Sequence, residues 1–554
     1  MNYSLVWNTV KYLKPVQVAY QVLNKFKKKE RVYFDKLPVG YREVRIAIPE
    51  LDCDEILVKR FNPDLMKRGK VCLLNQVVDL NYKPSYTKSL KPLIYNNVYY
   101  FEYGIVLGAK YRETKDTAYW ELFKKCYQDY LDAKAELKSA YSMALHIPNL
   151  LIALELFGEA GDEELKSARV QEFKAFKEKM YCELYSQYLY LQKHQEKHLL
   201  ANHYFEDLKA LIIAAYLFKD DKGLKGYLKA FKTQCCEQIL ADGVHYELSL
   251  MYHKLILEDL MRIGMLAKQP DFPECKWITP LIQKMTDACC SLEKGIGRTP
   301  LFNDAGDNVA KTCEQLCLAA ENQFGVKPVQ KDAFDASGYY KLYDGNRALI
   351  FDAGKIGVDY QPAHGHCDCL SFELSVDGKP LFVNSGTYEY QGDLRKNFRK
   401  TRVHNTVEIN GHEQSQCWGG FRVAKRLSRV QGTMGNGLVE GGYKNYLGEE
   451  HQRTISMKDG ILEVTDSVKA QENVPARSFL HLACGFVVEG DTIKDNTGNV
   501  IGKVSLQNCE QKVMRDGELC YYAPGFSELK IGTCLVFTWK ANNDKHGYKI
   551  DFNV

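Results

Sequence analysis

Two imidazoles and a carboxylate stand within one short run, His364-Gly-His366-Cys-Asp368-Cys-Leu-Ser-Phe. On an extended segment, residues two apart point to the same side. Imidazole titrates near neutrality and also ligates metals. The pair therefore supplies a proton carrier, a metal ligand, or one of each; a structural metal clip or a hydrogen-bonded core pair is the plainer alternative. Histidine is scarce, 13 in 554 residues, so the clustering bears on function. A second constellation lies upstream. Asn202-His203-Tyr204-Phe205-Glu206 opens a helical pattern in which Asn202 and Glu206, four apart, share a face. Asp242-Gly243 reads as a loop feeding a helix expected over His245 to Leu266, with Tyr246 and Glu247 at its start and Tyr252-His253 in its first turns. An amide, imidazoles, a phenol and a carboxylate from two helices are suited to line the mouth of a bundle. The plainer reading makes Asn202 a cap and Tyr252 a packed aromatic.

The elements that must position these residues change character along the chain. From about Tyr119 to Leu318 apolar residues recur every three or four positions, as in helices over Leu165 to Gln192, Leu199 to Phe218 and Leu224 to Leu240. A shorter helix is expected over Asn149 to Phe157, begun by Pro148 and stopped by Gly158. Residues 1–117, rich in aromatic and basic residues and punctuated by prolines, read as short helices and loops wrapped on that body. After Lys327-Pro328 the period becomes two. Strands flank the turns Asp344-Gly345-Asn346, Asp377-Gly378 and Asp459-Gly460, the pattern of an antiparallel sandwich. The boundary is expected near 325–337.

Composition narrows the classes. The 74 basic and 70 acidic residues are too balanced to argue for nucleic acid, yet allow a local basic groove for an acidic ligand. The 36 tyrosines suit a sugar-lining surface, since each offers an apolar face and a hydroxyl. The 18 cysteines are scattered, without framework spacing or a CxxC pair, as in a reducing compartment. No signal peptide and no membrane span is expected, which favours the cytoplasm over the periplasm.

Taken in order, the motifs resemble the heparinase II/III-like polysaccharide lyases. The residues that carry the resemblance are Asn202-His203 with Glu206, Asp242-Gly243 followed by Glu247, Ser249 and Tyr252-His253, the His364 run, Asn384-Ser385-Gly386-Thr387-Tyr388, and Arg399 with His404-Asn405-Thr406. The resemblance implies an α+β multidomain chain, an incomplete α/α toroid over 1–330 followed by an antiparallel β-sandwich over 337–554, with the active site in the cleft between them. It also implies β-elimination at a uronic acid of an acidic polysaccharide or oligosaccharide. That chemistry needs a group to neutralise the sugar carboxylate, a base for the adjacent proton and an acid for the departing oxygen.

By this likeness Asn202 and His203 hold the carboxylate, and Tyr252 is the acid, doubling as base when proton and leaving group share a face. His364 is the base for the opposite geometry. Glu206, Tyr246, Glu247, His253 and Arg399 are expected to contact substrate. His366 and His404 match positions that hold a metal, commonly zinc, in relatives. The third ligand there is usually an aspartate, and this chain has Asn384, a poorer ligand, so Asp368 or water has to substitute or the metal is weak or absent. Some relatives place a tyrosine shortly before the matching arginine, where this chain has Asn397-Phe398. Arg395, Arg399 and Arg402 form a basic run suited to an acidic sugar, or a plain solvated face. Two rivals remain at this stage. One is an α/α-barrel glycoside hydrolase using two of Glu206, Glu247, Asp304 and Asp307. The other is a non-catalytic glycan-binding or assembly protein on the same scaffold.

Overall fold

The computed structural model describes residues 3–28, 30–133, 139–159, 167–307, 309–542 and 544–554. Helices run to Phe324, and the strands of two large antiparallel sheets begin at Ala333. The chain is thus a helical domain followed by a β-sandwich. Residues before Thr117 form short helices and one hairpin, Lys70–Leu73 with Gln76–Asp79. They are clamped to the body by buried contacts such as Arg262 Nη2 to Asp52 Oδ1, 2.6 Å.

The helices of twelve residues or more are Tyr103–Thr114, Thr117–Asp132, Ala140–Glu159, Ser167–His194, Ala201–Leu217, Asp221–Gln238, Leu250–Leu266, Ile278–Glu293 and Cys313–Phe324 among the described residues. Two differ from the sequence expectation. Pro148 does not start a helix but lies inside Ala140–Glu159. A proline there forfeits one backbone bond. Burial of Met143, Ala144, Ile147, Leu150, Leu151 and Leu154 on both sides of it offsets that loss. The helix expected from His245 begins only at Leu250, with the Ser249 hydroxyl capping the Tyr252 N–H at 3.3 Å. Residues 242–249 are instead a folded loop tied back by Tyr246 N–H to Gln238 O, 2.8 Å. Gly243 turns it at φ +97°, where a Cβ would lie 2.3 Å from the Lys284 carbonyl. Leu165 lies outside the described residues.

The sandwich pairs a nine-stranded sheet with an eight-stranded one. In the first, Arg347–Asp352 lies between Tyr339–Asp344 and Ser371–Val376. Leu349 and Phe351 join Phe372, Leu480 and Phe537 in the core shared with Ile455, Val464 and Tyr548 of the other sheet. Ala348 and Ile350 point the other way and pack on Val244, Leu248 and Leu292 of the helical domain. Both faces of this strand are therefore covered, so it reads as a continuous apolar run. Each buried large side chain contributes roughly 1.5–3 kcal/mol of transfer free energy. This packing fixes the seam between the two domains, where the chemistry-bearing residues gather. Among the described residues one helix, Ala140–Gly158, is long and apolar enough to cross a membrane, and 78% of that window is buried in the fold.

Candidate active site

Asp304 organises the seam. It lies in the loop after the Ile278–Glu293 helix and is fully buried. Its Oδ2 is 2.8 Å from His364 Nδ1 and 2.9 Å from Arg395 Nη2; its Oδ1 is 2.9 Å from His366 Nε2, 3.2 Å from Thr387 Oγ1 and bonded to Arg395 Nη1. Burial alone would raise its pKa, but the Arg395 charge and the two imidazole hydrogen bonds hold it well below the ordinary carboxylate range. An ionised carboxylate only accepts. His364 therefore carries its proton on Nδ1 and His366 on Nε2, which fixes both tautomers. In its neutral form His364 keeps a lone pair on Nε2, the atom that faces Glu247 Oε2 at 3.8 Å.

The His364 ring lies 4.1 Å from that of Tyr252, centroid to centroid. Tyr252 Oη is 2.7 Å from Tyr390 Oη, so a phenol from each domain meets its counterpart. Burial, then the adjacent Tyr390 phenol, holds the Tyr252 pKa well above 10. On the other side of Glu247, its Oε1 accepts the Asn202 backbone N–H at 3.2 Å. Leu200 (φ +62°) and Ala201 (φ +51°) approach this point in left-handed backbone, a strained path for residues with a Cβ. His203, beside Asn202, is partly exposed, with Nδ1 2.7 Å from Glu196 Oε2 and its ring 4.6 Å from Tyr141. Burial lowers the His203 pKa, but the charge and hydrogen bond of Glu196 outweigh it and the net shift is upward. Asn202, Glu247, His364, Tyr252 and Tyr390 thus form one connected chain of contacts, with His203 at its open end.

Behind His364 is a buried donor set. Ligating atoms of His366, Asp368 and His404 all lie within 4.8 Å of one another. His404 Nδ1 donates to Asn384 Oδ1 and His366 Nε2 to Asp304. The remaining nitrogens, His366 Nδ1 and His404 Nε2, are buried without a partner. Burial lowers both imidazole pKa values, His366 to about 4, so both are neutral, the form that ligates. Two lone-pair nitrogens and a carboxylate fit a zinc-like cation. Asn384 Oδ1 lies against His404 Nδ1, and Asp368, the expected substitute third ligand, has its carboxylate within reach of both imidazoles. In each imidazole the second nitrogen is held by an oxygen, an arrangement typical of metal-bound histidine.

Residues 78–325 match the family model described as Heparinase II/III N-terminus, and residues 327–530 match Heparinase II/III-like, C-terminal. This chain belongs to the heparinase II/III-like family. A heparin-sulfate lyase of Pedobacter heparinus is 23% identical over 306 residues, 47% of this chain and 44% of that protein. One of Bacteroides stercoris is 25% identical over 293 residues, 47% of this chain and 42% of that protein. The chain therefore spans less than half the length of the curated relatives it matches. Among solved structures, that of heparinase III superposes with a TM-score of 0.65 at 16% identity, covering 98% of this chain and 92% of the other. A heparan sulfate lyase HepC mutant from Pedobacter heparinus gives 0.58 at 17% identity, covering 97% and 87%. At these identities the superpositions establish the fold, which is the heparinase III-like one.

Within this heparinase II/III-like chain, not every residue singled out from sequence joins this group of contacts. His253 is fully buried, accepting the His245 N–H at 3.2 Å and donating to the Met285 carbonyl at 2.9 Å; it fastens the 242–249 loop. Arg399 is 1% exposed, its guanidinium donating to the Gly365 and Gly420 carbonyls at 2.9 and 3.1 Å. It braces the His364 run from behind and is not placed to touch a sugar. Tyr246 is buried against Tyr360, 2.8 Å between hydroxyls. Glu206 is paired with Lys209 at 2.5 Å. Of the four carboxylates weighed for a hydrolase, three are committed, Asp304 to Arg395, Glu206 to Lys209 and Asp307 to the Thr299 N–H at 3.3 Å, while Glu247 lies in the site beside His364.

Three participants escaped sequence reasoning. Asp304 was considered only as a hydrolytic acid. Arg395 appeared only as one of a basic run. Tyr390, two residues beyond the quoted Tyr388, had no signal at all. It supplies a phenol beside Tyr252 although Asn397-Phe398 hold the place where some relatives have tyrosine.

Proposed function

We propose that the protein cleaves an acidic, uronic-acid-containing glycan by β-elimination, leaving an unsaturated uronate at the new end. The observation that carries this reading is the pairing of His364, its proton held on Nδ1 by Asp304, with the Tyr252 ring 4.1 Å away. A proton acceptor and a proton donor stand side by side, and His203, whose pKa Glu196 raises against burial, lies beyond them. That the curated relatives are heparin-sulfate lyases supports a glycosaminoglycan-like substrate.

In this reading the uronate carboxylate docks on His203 and the Asn202 amide, which lowers the cost of charge building up next to it. His364 Nε2 removes the proton at C5, and the freed electron pair forms the C4–C5 double bond as the C4–oxygen bond breaks. Tyr252, neutral because its pKa is high, gives its proton to the departing oxygen. Where proton and leaving group share a face, Tyr252 would have to serve both ends as the phenolate, which its raised pKa opposes. A zinc ion held by His366, Asp368 and His404 would supply rigid charge behind the loop, bracing His364 without touching substrate.

A panel of uronate polymers, including heparan sulfate, chondroitin and alginate, tests the reading through ultraviolet absorbance of the unsaturated product. New reducing ends without that absorbance would mean hydrolysis. Binding without either would make the protein a glycan-recognition module.

A further inference from the structure

A thiol cluster lies where the Ile278–Glu293 helix ends beside the start of Cys313–Phe324. Cys313 Sγ is 3.7 Å from Cys290 Sγ and 3.8 Å from Cys317 Sγ. Cys290 and Cys317 are joined as a disulfide. Cys313 and Cys317, one turn apart, share a helix face. Cys289 makes a further thiol contact with Cys313 from the buried side. Cys290, Cys313 and Cys317 are each partly exposed and together line a cavity of about 900 Å³. None of them takes part in the eliminating site.

The sulfur spacing has a chemical reading. A tetrahedral zinc ion binds thiolates at about 2.3 Å, which places neighbouring sulfurs about 3.8 Å apart. Both distances from Cys313 already have that value, and only the bonded pair is closer. Three thiolates around a divalent cation leave one net negative charge, and the cavity lining is of mixed sign, five basic and four acidic side chains, Lys311 and Glu314 among them. Lys254 is itself held by Thr299 Oγ1 at 2.6 Å and Glu293 at 2.8 Å.

We propose that, once the Cys290–Cys317 bond is reduced, Cys290, Cys313 and Cys317 bind a soft divalent cation of the zinc class, with cavity water as the fourth ligand. A dithiol reductant supplies two electrons and two protons, leaving two protein thiols and its own cyclic disulfide. Metal binding then releases three protons as the three thiols become thiolates. The disulfide form, with two ligands consumed, does not bind. The site is distinct from His366, Asp368 and His404 in both place and ligand type.

Cobalt(II) titration of the full-length protein under anaerobic conditions tests this. Dithiol-reduced wild type is expected to develop thiolate-to-cobalt charge-transfer absorption saturating at one equivalent. The band is expected to persist in His404→Ala, which lacks the other donor set, and to vanish in Cys313→Ser. Wild type with the disulfide intact is expected to give no such band until the dithiol is added, a comparison that needs no variant to fold. Absence of the band in reduced wild type, its survival in a folded Cys313→Ser, or an equal band in the disulfide form would each overturn the proposal.

Discussion

Tyr252 of the helical domain and Tyr390 of the sheet domain meet hydroxyl to hydroxyl at 2.7 Å. One of the two protons lies in that bond, and the other is free to be given away. If Tyr252 is the acid, Tyr252→Phe lowers kcat by about 10²–10⁴-fold with little change in KM. Tyr390→Phe removes a hydrogen bond worth about 1 kcal/mol and lowers kcat by roughly five- to tenfold. Steady-state kinetics on the best polymer of the panel separate the two; equal losses would remove Tyr252 from the acid role.

The base role of His364 is tied to geometry. His364→Ala is expected to abolish cleavage where the C5 proton and leaving group lie on opposite faces of the sugar. Activity spared on the C5 epimer would require the Tyr252 phenolate to take the proton there, against its raised pKa. Assays on polymers enriched in one or the other epimer report this directly. Loss on both would make His364 indispensable to each.

The His203–Glu196 pair predicts a pH dependence. The Glu196 carboxylate raises the His203 pKa, so the imidazolium that receives the uronate persists to higher pH than a free histidine would. KM is expected to rise as pH climbs through that raised value. The pair's contribution to stability is complete below the unfolded-state pKa of about 6.5 and is lost over the same rise. At the acid end the Glu196 pKa is depressed, chiefly by His203 acting against burial, so its share fades as pH falls through that lower value. His203→Gln should raise KM and flatten its pH profile; an unchanged profile would detach His203 from carboxylate binding.

The buried donor set predicts metal content. With the Cys290–Cys317 disulfide intact, zinc measured by mass spectrometry is expected at one equivalent and lost in His404→Ala. Asn384→Ala, which frees the His404 ring, should weaken affinity by about 10–100-fold. Retention of full zinc in His404→Ala would displace the site.

Arg395 carries a structural prediction. It is 1% exposed and binds both oxygens of Asp304. Arg395→Met leaves a buried carboxylate uncompensated and is expected to cost about 3–5 kcal/mol in urea unfolding. Activity should fall with it, because Asp304 sets the His364 tautomer. A variant of unchanged stability would contradict the pairing.

Amino-acid order alone was enough for the helical half, the strand half, their sequence along the chain and the family likeness. These rest on local periodicity, on glycine turns and on motifs a few residues long, all of which survive without knowledge of contacts. Asn202, Glu247, Tyr252 and His364 were reachable because each belongs to such a short motif. Folding decided which of them meet and what each does. Asp304 lies 60 residues before His364 and 91 before Arg395, so no local pattern announces that it joins them. The same holds for Tyr390, brought to Tyr252 across 138 residues, and for the approach of Asp368 to both His366 and His404. Burial likewise turned His253 and Arg399 from candidate sugar contacts into internal braces. Residue type shows what a side chain is able to do, while its partners and its access to solvent are set only when distant segments pack.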